Sequence, residues 1–277
     1  MSTEPSLETL LGAELACCAS PYDSPALRWL LGDDLHPGGD ALSRRLAHLA
    51  GLGPGSRVLD VASGRGRTAR LLATEFGAEV TGVELSAESV AAAQAESEAA
   101  GRGWVRFVQG DAAALPAPSR AVDVVICECA LCLFPRKATA VAEMRRVLRP
   151  GGVLAIADVT VEADELPAAL RGLAGRVVCL AEALPREGYE ALLHDARFEL
   201  LAAESHDGAL AALAERMEYR LRVARMVDLS APYGDLIAEA LALVREARSA
   251  IVRGSLGYRL FVARRAELAN VPAGHGS

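Results

Sequence analysis

The sequence is short of aromatic residues and of long apolar runs, and each shortage excludes a class of protein. Aromatic residues make up 4% of its 277 residues, and the apolar run at residues 124–134 is interrupted by Glu128. A membrane-spanning helix needs about 20 apolar residues, so no span is predicted. The first residues also lack the basic start and apolar stretch of a secretory signal. We therefore expect a cytoplasmic protein with no membrane partner.

Positive charge is also in short supply. The chain has 29 Lys and Arg against 36 Asp and Glu, which gives a net charge of −7 at pH 7. Binding to nucleic acid requires a basic surface that neutralises phosphates, so no nucleic-acid partner is expected. Apolar residues, in contrast, make up 52% of the chain. That content is enough for the core of one large domain with an extension.

Strand-like and helix-like segments alternate between residues 41 and 160, with short connections. This alternation is typical of an α/β fold with a parallel, doubly wound sheet. The predicted strands are 57–61, 79–85, 105–109, 122–127 and 153–159, and the predicted helices are 41–52, 67–76, 87–100 and 138–148. The sequence RPGG predicts a turn before the fifth strand.

The pattern changes after residue 160 and becomes mainly helical. Helices are predicted at 166–183, 185–196, 209–227 and 235–252, and strands at 198–204 and 257–264, the last at a sheet edge. We predict a Rossmann-like, mainly parallel seven-stranded sheet. Its predicted divisions are an N-terminal helical cap at 1–40, a core at 41–205, a C-terminal helical insertion at 206–252, the last core strand at 253–265 and a disordered tail at 266–277.

The stretch VLDVASGRGRTA, which begins at Val58, predicts a nucleotide site. A strand leads into Gly64 and Gly66, which permit a sharp turn and the close approach of a ligand to the next helix. Glu84 ends the following strand about 20 residues later, where α/β nucleotide sites carry a carboxylate for ribose hydroxyls. The same glycine spacing fits a dinucleotide fingerprint, so NAD or no ligand remains an open alternative.

Four motifs together resemble the class I S-adenosylmethionine-dependent methyltransferases. DVASGRG resembles their D-x-G-x-G-x-G motif, with Ala62 in place of the first glycine, and TGVEL, GDAAALP and LRPGG match the segments that follow. The resemblance covers residues 40–160. It implies S-adenosylmethionine as cofactor and S-adenosylhomocysteine as product, with Glu84 on the ribose and Asp111 at the adenine. The cofactor-binding residues predicted in this way are Asp60, Ala62, Gly64, Gly66, Glu84, Leu85, Asp111, Ala112 and Cys127.

Three cysteines, Cys127, Cys129 and Cys132, lie in VICECALCLFP at the end of the fourth predicted strand. Ligands of this fold class lie outside the carboxyl ends of the strands, so the stretch is expected beside the cofactor. A buried cysteine is usually a packing residue. We interpret Cys127 as a strand-end residue whose backbone lies near the cofactor, and for Cys132 packing and ligand binding are equally open.

The cysteines also resemble those of the arsenite methyltransferases. Cys129 falls on that family's cysteine after strand four, Cys179 on a second cysteine, and Cys17 with Cys18 on its N-terminal cysteine region. The resemblance implies that these four residues are catalytic and bind trivalent arsenic, as a soft metalloid substrate and not as a structural metal.

Arsenic chemistry suits thiols, because thiolates select soft ions. A lone pair on arsenic that faces a sulfonium methyl group needs no general base, so catalysis depends mostly on positioning. Two departures weaken the arsenic assignment, since Glu128 and Cys132 stand where that family has asparagines. Antimony, mercury, selenium or a small organic molecule therefore remain possible acceptors.

Three functions stay open at the level of sequence. The first is methylation of arsenic, with a thiol reductant as a conceivable further partner. The second is C-, O- or N-methylation of a small organic acceptor, and the third is a thiol sensor without catalysis. The sequence predicts neither the oligomeric state nor the role of Glu128, which is either a partner of the cofactor ammonium group or an exposed loop residue.

Overall fold

The computed structural model describes residues 29–32, 36–101, 105–162, 166–171, 180, 182–226 and 234–266. Cys17, Cys18 and Cys179 lie outside the described residues, as do most of the predicted N-terminal cap and the predicted C-terminal tail. No helix in the described ranges combines the length and the apolar character that crossing a membrane requires.

Seven strands form a single sheet in the order β3-β2-β1-β4-β5-β7-β6. The pairs among β1 to β5 are parallel, and β7 runs antiparallel to both β5 and β6. The mainly parallel, seven-stranded prediction is therefore confirmed. The strands are β1 Arg57–Val61, β2 Glu79–Glu84, β3 Arg106–Gln109, β4 Val122–Glu128, β5 Leu148–Val161, β6 Phe198–Ser205 and β7 Leu256–Arg265.

Helices cover both faces of this sheet, as the doubly wound prediction requires. The helices are α1 Gly39–Leu49, α2 Arg67–Phe76, α3 Ala87–Ala99, α4 Lys137–Val147, α5 Ala168–Arg171, α6 Arg186–Asp195, α7 Asp207–Met226 and α8 Gly234–Arg253. Buried residues of α1, α2 and α3 pack on one face, and those of α4 and α6 pack on the other. Two separate apolar layers thus enclose the sheet.

Local sequence explains why these elements form where they do. The central strand β4 is almost entirely buried, as expected for a parallel strand between two helical layers. Helix α2 starts after Gly66 and ends before Gly77, and both glycines adopt left-handed conformations. Helix α3 begins after Ser86, whose side chain accepts a hydrogen bond from the amide of Ser89.

The structure corrects the prediction that residues 257–264 form an edge strand. β7 lies between β5 and β6, so the edge strand is β6. Arg265, the last residue of β7, is buried. Its guanidinium donates to the carbonyl of Arg145 at 2.7 Å and to that of Arg146 at 3.3 Å, near the end of α4. Backbone carbonyl oxygens thus stabilise the buried charge of Arg265.

The RPGG segment is also different from its prediction. Residues 149–152 belong to β5 and do not form a free turn. They fall where the pairing with β4 shifts, between the pairs Val122–Leu148 and Val124–Val153. The segment is therefore an irregularity within the strand ladder, which allows a proline and two glycines inside a strand.

Helices α7 and α8 follow β6 and precede β7 in the sequence, and they pack against each other as a pair. The buried carboxylate of Glu218 accepts hydrogen bonds from Arg222 on its own helix and from Arg245 and Arg248 on α8. These guanidinium groups, chiefly Arg248, lower the pKa of Glu218 to about 2. The charge cluster holds the two helices together over the whole range of ordinary pH.

The start of α7 is attached to β7. The side chain of Asp207 accepts a hydrogen bond from the amide of Tyr258 at 2.9 Å, and the amide of His206 donates to the carbonyl of Tyr258 at 2.7 Å. A Cβ atom on Gly257 would lie 2.7 Å from Asp207 Oδ1 and 3.0 Å from Thr160 Oγ1. Glycine at position 257 therefore permits this close approach.

Replacement of Gly257 by alanine is expected to lower the free energy of unfolding by about 1–3 kcal/mol, because the added methyl group overpacks this junction. Gly208, one residue after Asp207, has open space at the Cβ position and provides the control. Gly208→Ala should raise stability by about 0.4–1 kcal/mol. Urea unfolding of both variants measures the difference. Equal stability of the two variants would show that the junction is not tightly packed.

Candidate active site

Three carboxylates lie at or next to the carboxyl ends of neighbouring parallel strands, on the same face of the sheet. Asp60 on β1 pairs with Gly82 of β2 and with Ile126 of β4. Glu84 and Glu128 each lie two residues further along their strands, and alternate residues of a strand share a face. All three carboxylates line a cavity of about 520 Å³ at this edge. Binding sites for small molecules usually have volumes of about 300–1,000 Å³.

Glu84 connects the glycine loop to the start of α3. Its Oε2 accepts a hydrogen bond from the amide of Gly64 at 2.9 Å, and its Oε1 accepts one from the amide of Ser86 at 3.0 Å. The residue is buried. Two amide donors thus compensate for the burial of this carboxylate, and its remaining lone pairs can accept further hydrogen bonds.

Asp60 has a different environment. It is 2% exposed, and its Oδ2 lacks a hydrogen-bond partner among the described residues. Burial, together with the neighbouring Glu128 and Glu84, raises the pKa of Asp60 to about 8, although the amide of Ala69 donates to it. Asp60 therefore carries a proton at neutral pH and loses it when a cation replaces that proton.

Glu128 is held by two hydroxyl groups from the helices on its face. The Ser43 hydroxyl of α1 lies 3.0 and 3.1 Å from its two oxygens, and the Thr68 hydroxyl of α2 donates at 2.7 Å. Glu128 is half-buried and is not a freely exposed loop residue. Ser43 and Thr68 were missed in the sequence, because neither belongs to a motif and both reach Glu128 only through folding.

The glycine loop places two of its three predicted residues at the cavity. Ala62 and Gly64 line it, and their φ angles are +60° and +51°. Gly66 does not appear in the lining. A Cβ atom at Gly66 would lie 2.2 Å from the Phe107 ring, and one at Gly82 would lie 2.5 Å from the same ring. The need for glycine at position 66 thus comes from packing.

The second acidic loop forms the mouth of the cavity. Asp111 and Ala112 both line it, and Leu85 lies there with an exposed side chain. Asp111 accepts a hydrogen bond from the Ala113 amide at 2.8 Å and forms an ion pair with Arg136 at 3.2 Å. Arg136 follows β4, so this pair joins the loops after β3 and β4. No motif in the sequence had identified Arg136.

The three cysteines after β4 have different environments. Cys129 is half-buried and lines the cavity, whereas Cys127 and Cys132 are fully buried. The Cys127 side chain lies in the core behind the sheet, where burial raises the pKa of its thiol. The predicted site residue Cys127 thus points away from the cavity. Within the described ranges, no group of three His, Cys, Asp or Glu side chains could hold a metal ion.

Cys129 has a strained backbone. Its φ angle is +52°, a left-handed conformation that residues other than glycine rarely adopt. Its amide donates to the carbonyl of Ala157 at 2.7 Å, which joins the turn to β5. The amide of the next buried cysteine, Cys132, donates to the Asp158 side chain at 2.8 Å. These two bonds hold the turn in place and so maintain the strain at Cys129.

The residues around the cavity suit S-adenosylmethionine. The cofactor carries a sulfonium and an ammonium group, and the cavity has the unpartnered Asp60 oxygen and the Glu128 carboxylate for positive charge. Nothing lies within 4 Å of the Cβ position of Gly64, so a ligand can approach the backbone there. Glu84, Leu85, Asp111 and Ala112 line the same cavity.

Replacement of Asp60 by asparagine tests the protonation of its carboxyl group. Asp60 holds its proton up to about pH 8 in the folded protein but only up to about pH 4 in the unfolded chain. The folded protein therefore loses stability as the pH rises between these values. The free energy of unfolding of the wild type should therefore fall relative to that of Asp60→Asn between pH 4 and 8. Urea unfolding across this range measures it, and parallel curves would contradict the raised pKa.

Replacement of Ala62 by glycine should relieve backbone strain. A left-handed conformation at an alanine lowers the stability of the folded protein by about 1–2 kcal/mol. A glycine at the same position lowers it by about 0.4–1 kcal/mol, because glycine gives the unfolded chain more conformational freedom. A net gain of about 0–1.6 kcal/mol is expected in thermal or urea unfolding. The matched control, Ala142→Gly on the exposed side of α4, should instead lose about 1 kcal/mol. If Ala62→Gly and Ala142→Gly lowered the free energy of unfolding equally, the result would argue against strain at Ala62.

Residues 59–156 match the family model described as a methyltransferase domain. An arsenite methyltransferase of Halobacterium salinarum is 34% identical over 163 residues, which are 57% of this chain. The chain spans 41% of the length of that relative. A ubiquinone/menaquinone biosynthesis C-methyltransferase of Ectopseudomonas mendocina is 30% identical over 220 residues, covering 70% of this chain and 86% of the relative.

Among solved structures, phosphoethanolamine N-methyltransferase 2 of Haemonchus contortus superposes with a TM-score of 0.76 at 19% identity. The match covers 95% of this chain and 61% of that one, which was solved with S-adenosylhomocysteine. At this identity the likeness supports the fold. Together with the quinone relative and the methyltransferase model, these matches identify S-adenosylmethionine as the cofactor. The chain belongs to the class I S-adenosylmethionine-dependent methyltransferases.

Proposed function

We propose that this methyltransferase methylates trivalent arsenic, or a similar thiophilic species, bound by Cys129 together with Cys179 and the Cys17–Cys18 pair. The observation that carries the proposal is the position of Cys129. Its thiol lines the cavity from a left-handed turn that directly follows the central strand β4. Backbone strain at a cavity-lining nucleophile is typical of functional sites, where the surrounding structure maintains it.

Burial separates Cys129 from its two neighbours. Cys127 and Cys132 are 0% exposed and pack in the two apolar layers, so neither thiol is available to an acceptor in the cavity. A soft acceptor would need further thiols, and Cys179, Cys17 and Cys18 are the remaining cysteines of the chain. Reduced thiols are required, which fits a reducing compartment such as the cytoplasm.

The cofactor supplies a methyl group on a positively charged sulfur. On this chain we assign the ribose hydroxyls to Glu84, the adenine to Asp111 with Ala112 and Leu85, and the cationic part of the ligand to Asp60 and Glu128. Glu84 suits its role because the amides of Gly64 and Ser86 fix its orientation. Glu128 suits its role because Ser43 and Thr68 hold its carboxylate on the cavity side of the sheet.

The wall next to Cys129 is apolar. Ala130, Leu133, Phe134 and Ala140 line that part of the cavity. Apolar side chains around a few polar groups are typical of small-molecule sites. Methyl transfer to an arsenic lone pair requires positioning and no proton transfer, so a site without a general base is sufficient. The similarity to the Halobacterium salinarum arsenite methyltransferase supports this choice of acceptor.

A small organic acceptor is the second candidate. The observation in its favour is the same apolar wall, which would also accept a flat or aliphatic molecule. The relative that matches over 86% of its own length is a quinone-pathway C-methyltransferase. A C-, O- or N-methyltransferase would use the same cofactor residues, and its cysteines would be packing residues.

Replacement of Cys129 by serine should abolish methylation of arsenite and leave S-adenosylmethionine binding unchanged, because a hydroxyl group is a poor ligand for a soft metalloid. Mass spectrometry of methylated arsenic measures the first effect, and calorimetry measures the second. The control is Cys132→Ala, which removes a buried thiol and should retain methylation.

Two other results would change the assignment. Full turnover of arsenite by Cys129→Ser would remove the metalloid proposal. A wild-type protein that binds the cofactor tightly but yields no methylated arsenic would favour the organic acceptor. In either case the methyltransferase assignment would remain.

A further inference from the structure

A short segment that precedes α1, residues 29–32, reaches the cofactor cavity. Residues 29–31 are helical, and Gly32 follows them with a φ angle of +90°. Gly32 lines the cavity, and so does His36. One wall of the cavity therefore comes from a part of the chain that none of the four cofactor motifs includes.

Arg220 of α7 holds segment 29–32. Its Nη1 donates to the carbonyl of Trp29 at 2.8 Å and to that of Leu30 at 3.0 Å. The last carbonyl groups of a helix have no partner within that helix. A cationic side chain at this end donates hydrogen bonds to them and interacts favourably with the helix dipole. Arg220 thus ties the segment to a helix that lies far away in the sequence.

Two further features keep segment 29–32 beside α7. Leu30 packs against the apolar cluster between α7 and α8. A Cβ atom on Gly32 would lie 2.9 Å from Nη1 and 3.0 Å from Nη2 of Arg220. Glycine at position 32 therefore permits both the left-handed backbone and the close approach of the guanidinium group.

Helix α7 is itself fixed to other elements. Glu218, two residues before Arg220, accepts hydrogen bonds from Arg245 and Arg248 on α8. Asp207, at the start of α7, accepts the amide of Tyr258 on β7. Segment 29–32 is thus attached through Arg220 to a helix that the core of the protein supports.

We propose that Arg220 is a positioning residue for the cofactor cavity, which holds segment 29–32 in place as one wall and thereby slows the release of the bound cofactor. Loss of a contact that stabilises the closed wall raises the population of the open state, from which a ligand leaves. The α7–α8 pair then serves cofactor retention. The proposal depends on the S-adenosylmethionine cofactor and not on the identity of the methyl acceptor.

The test measures the dissociation rate of S-adenosylhomocysteine from the full-length protein by surface plasmon resonance. Arg220→Ala should release it about tenfold faster, as expected for the loss of one charge-assisted hydrogen bond. Arg220→Lys keeps a cationic donor without the planar guanidinium group, so its rate should lie between those of Arg220→Ala and the wild type. An unchanged rate in Arg220→Ala would overturn the proposal.

Arg222→Ala is the matched control. Arg222 lies on the same helix and donates to Glu218, so its replacement weakens the charge cluster of the α7–α8 pair. The hydrogen bonds from Arg220 to Trp29 and Leu30 remain. Cofactor release should therefore stay at the wild-type rate. An equal increase in Arg220→Ala and Arg222→Ala would indicate general loosening of the helical pair and would contradict a specific role of Arg220.

A second measurement detects the release of segment 29–32 from α7. Trypsin cleaves after arginine, and the bond between Arg28 and Trp29 directly precedes the segment. Cleavage of a transiently opened site follows the population of the open state. Mass spectrometry should show about tenfold faster cleavage of this bond in Arg220→Ala. Saturating S-adenosylhomocysteine should slow it in the wild type, because ligand binding and wall closure favour each other.

The two measurements together decide the proposal. Faster cleavage with unchanged cofactor release would show that Arg220 anchors the segment without retaining the cofactor, and would overturn the proposal. If Arg220→Ala does not fold, Arg220→Lys carries the test. Cofactor release and cleavage should then both be faster than in the wild type, and wild-type rates in both measurements would contradict the proposal.

Discussion

The parallel pairing of β1 with both β2 and β4 is the constraint on which the rest of the structure depends. This pairing brings the carboxyl ends of three strands to one edge of the sheet and places Asp60, Glu84 and Glu128 on the same face. Like charges so close together repel, and each carboxylate is stabilised in its own way. Glu84 accepts two backbone amides, Glu128 accepts two hydroxyl groups, and Asp60 keeps its proton.

The interactions that stabilise these carboxyl groups explain much of the surrounding architecture. Glu84 ties the glycine loop to α3, and Glu128 ties α1 and α2 to the central strand. The chain must then leave β4 abruptly, because the cavity lies directly beyond Glu128. The left-handed turn at Cys129 achieves this change of direction and brings the thiol into the cavity wall. A methyl acceptor would therefore meet the cofactor at the edge of the sheet.

Most of the fold follows from local sequence, and most errors of prediction have a tertiary cause. β1 and α2 were predicted with the bounds that the structure gives, because their periodicity and flanking glycines are unambiguous. β7 was predicted at an edge, because its residues alternate as those of an edge strand do. Arg265 is in fact buried against carbonyl groups at the end of α4, and no pattern within β7 signals such a partner.

The sequence by itself determined the doubly wound sheet, the glycine loop and the carboxylate of Glu84, because strand periodicity, turn residues and motif spacing are local properties. Only the tertiary structure decided which of the three cysteines at the end of β4 faces the cavity. The left-handed conformation of Cys129 brings this residue to the cavity wall, whereas Cys127 and Cys132 lie in the core. It also decided that Ser43 and Thr68 meet this edge. These two residues come from α1 and α2, and contacts between such distant segments depend on packing that no short stretch of sequence encodes.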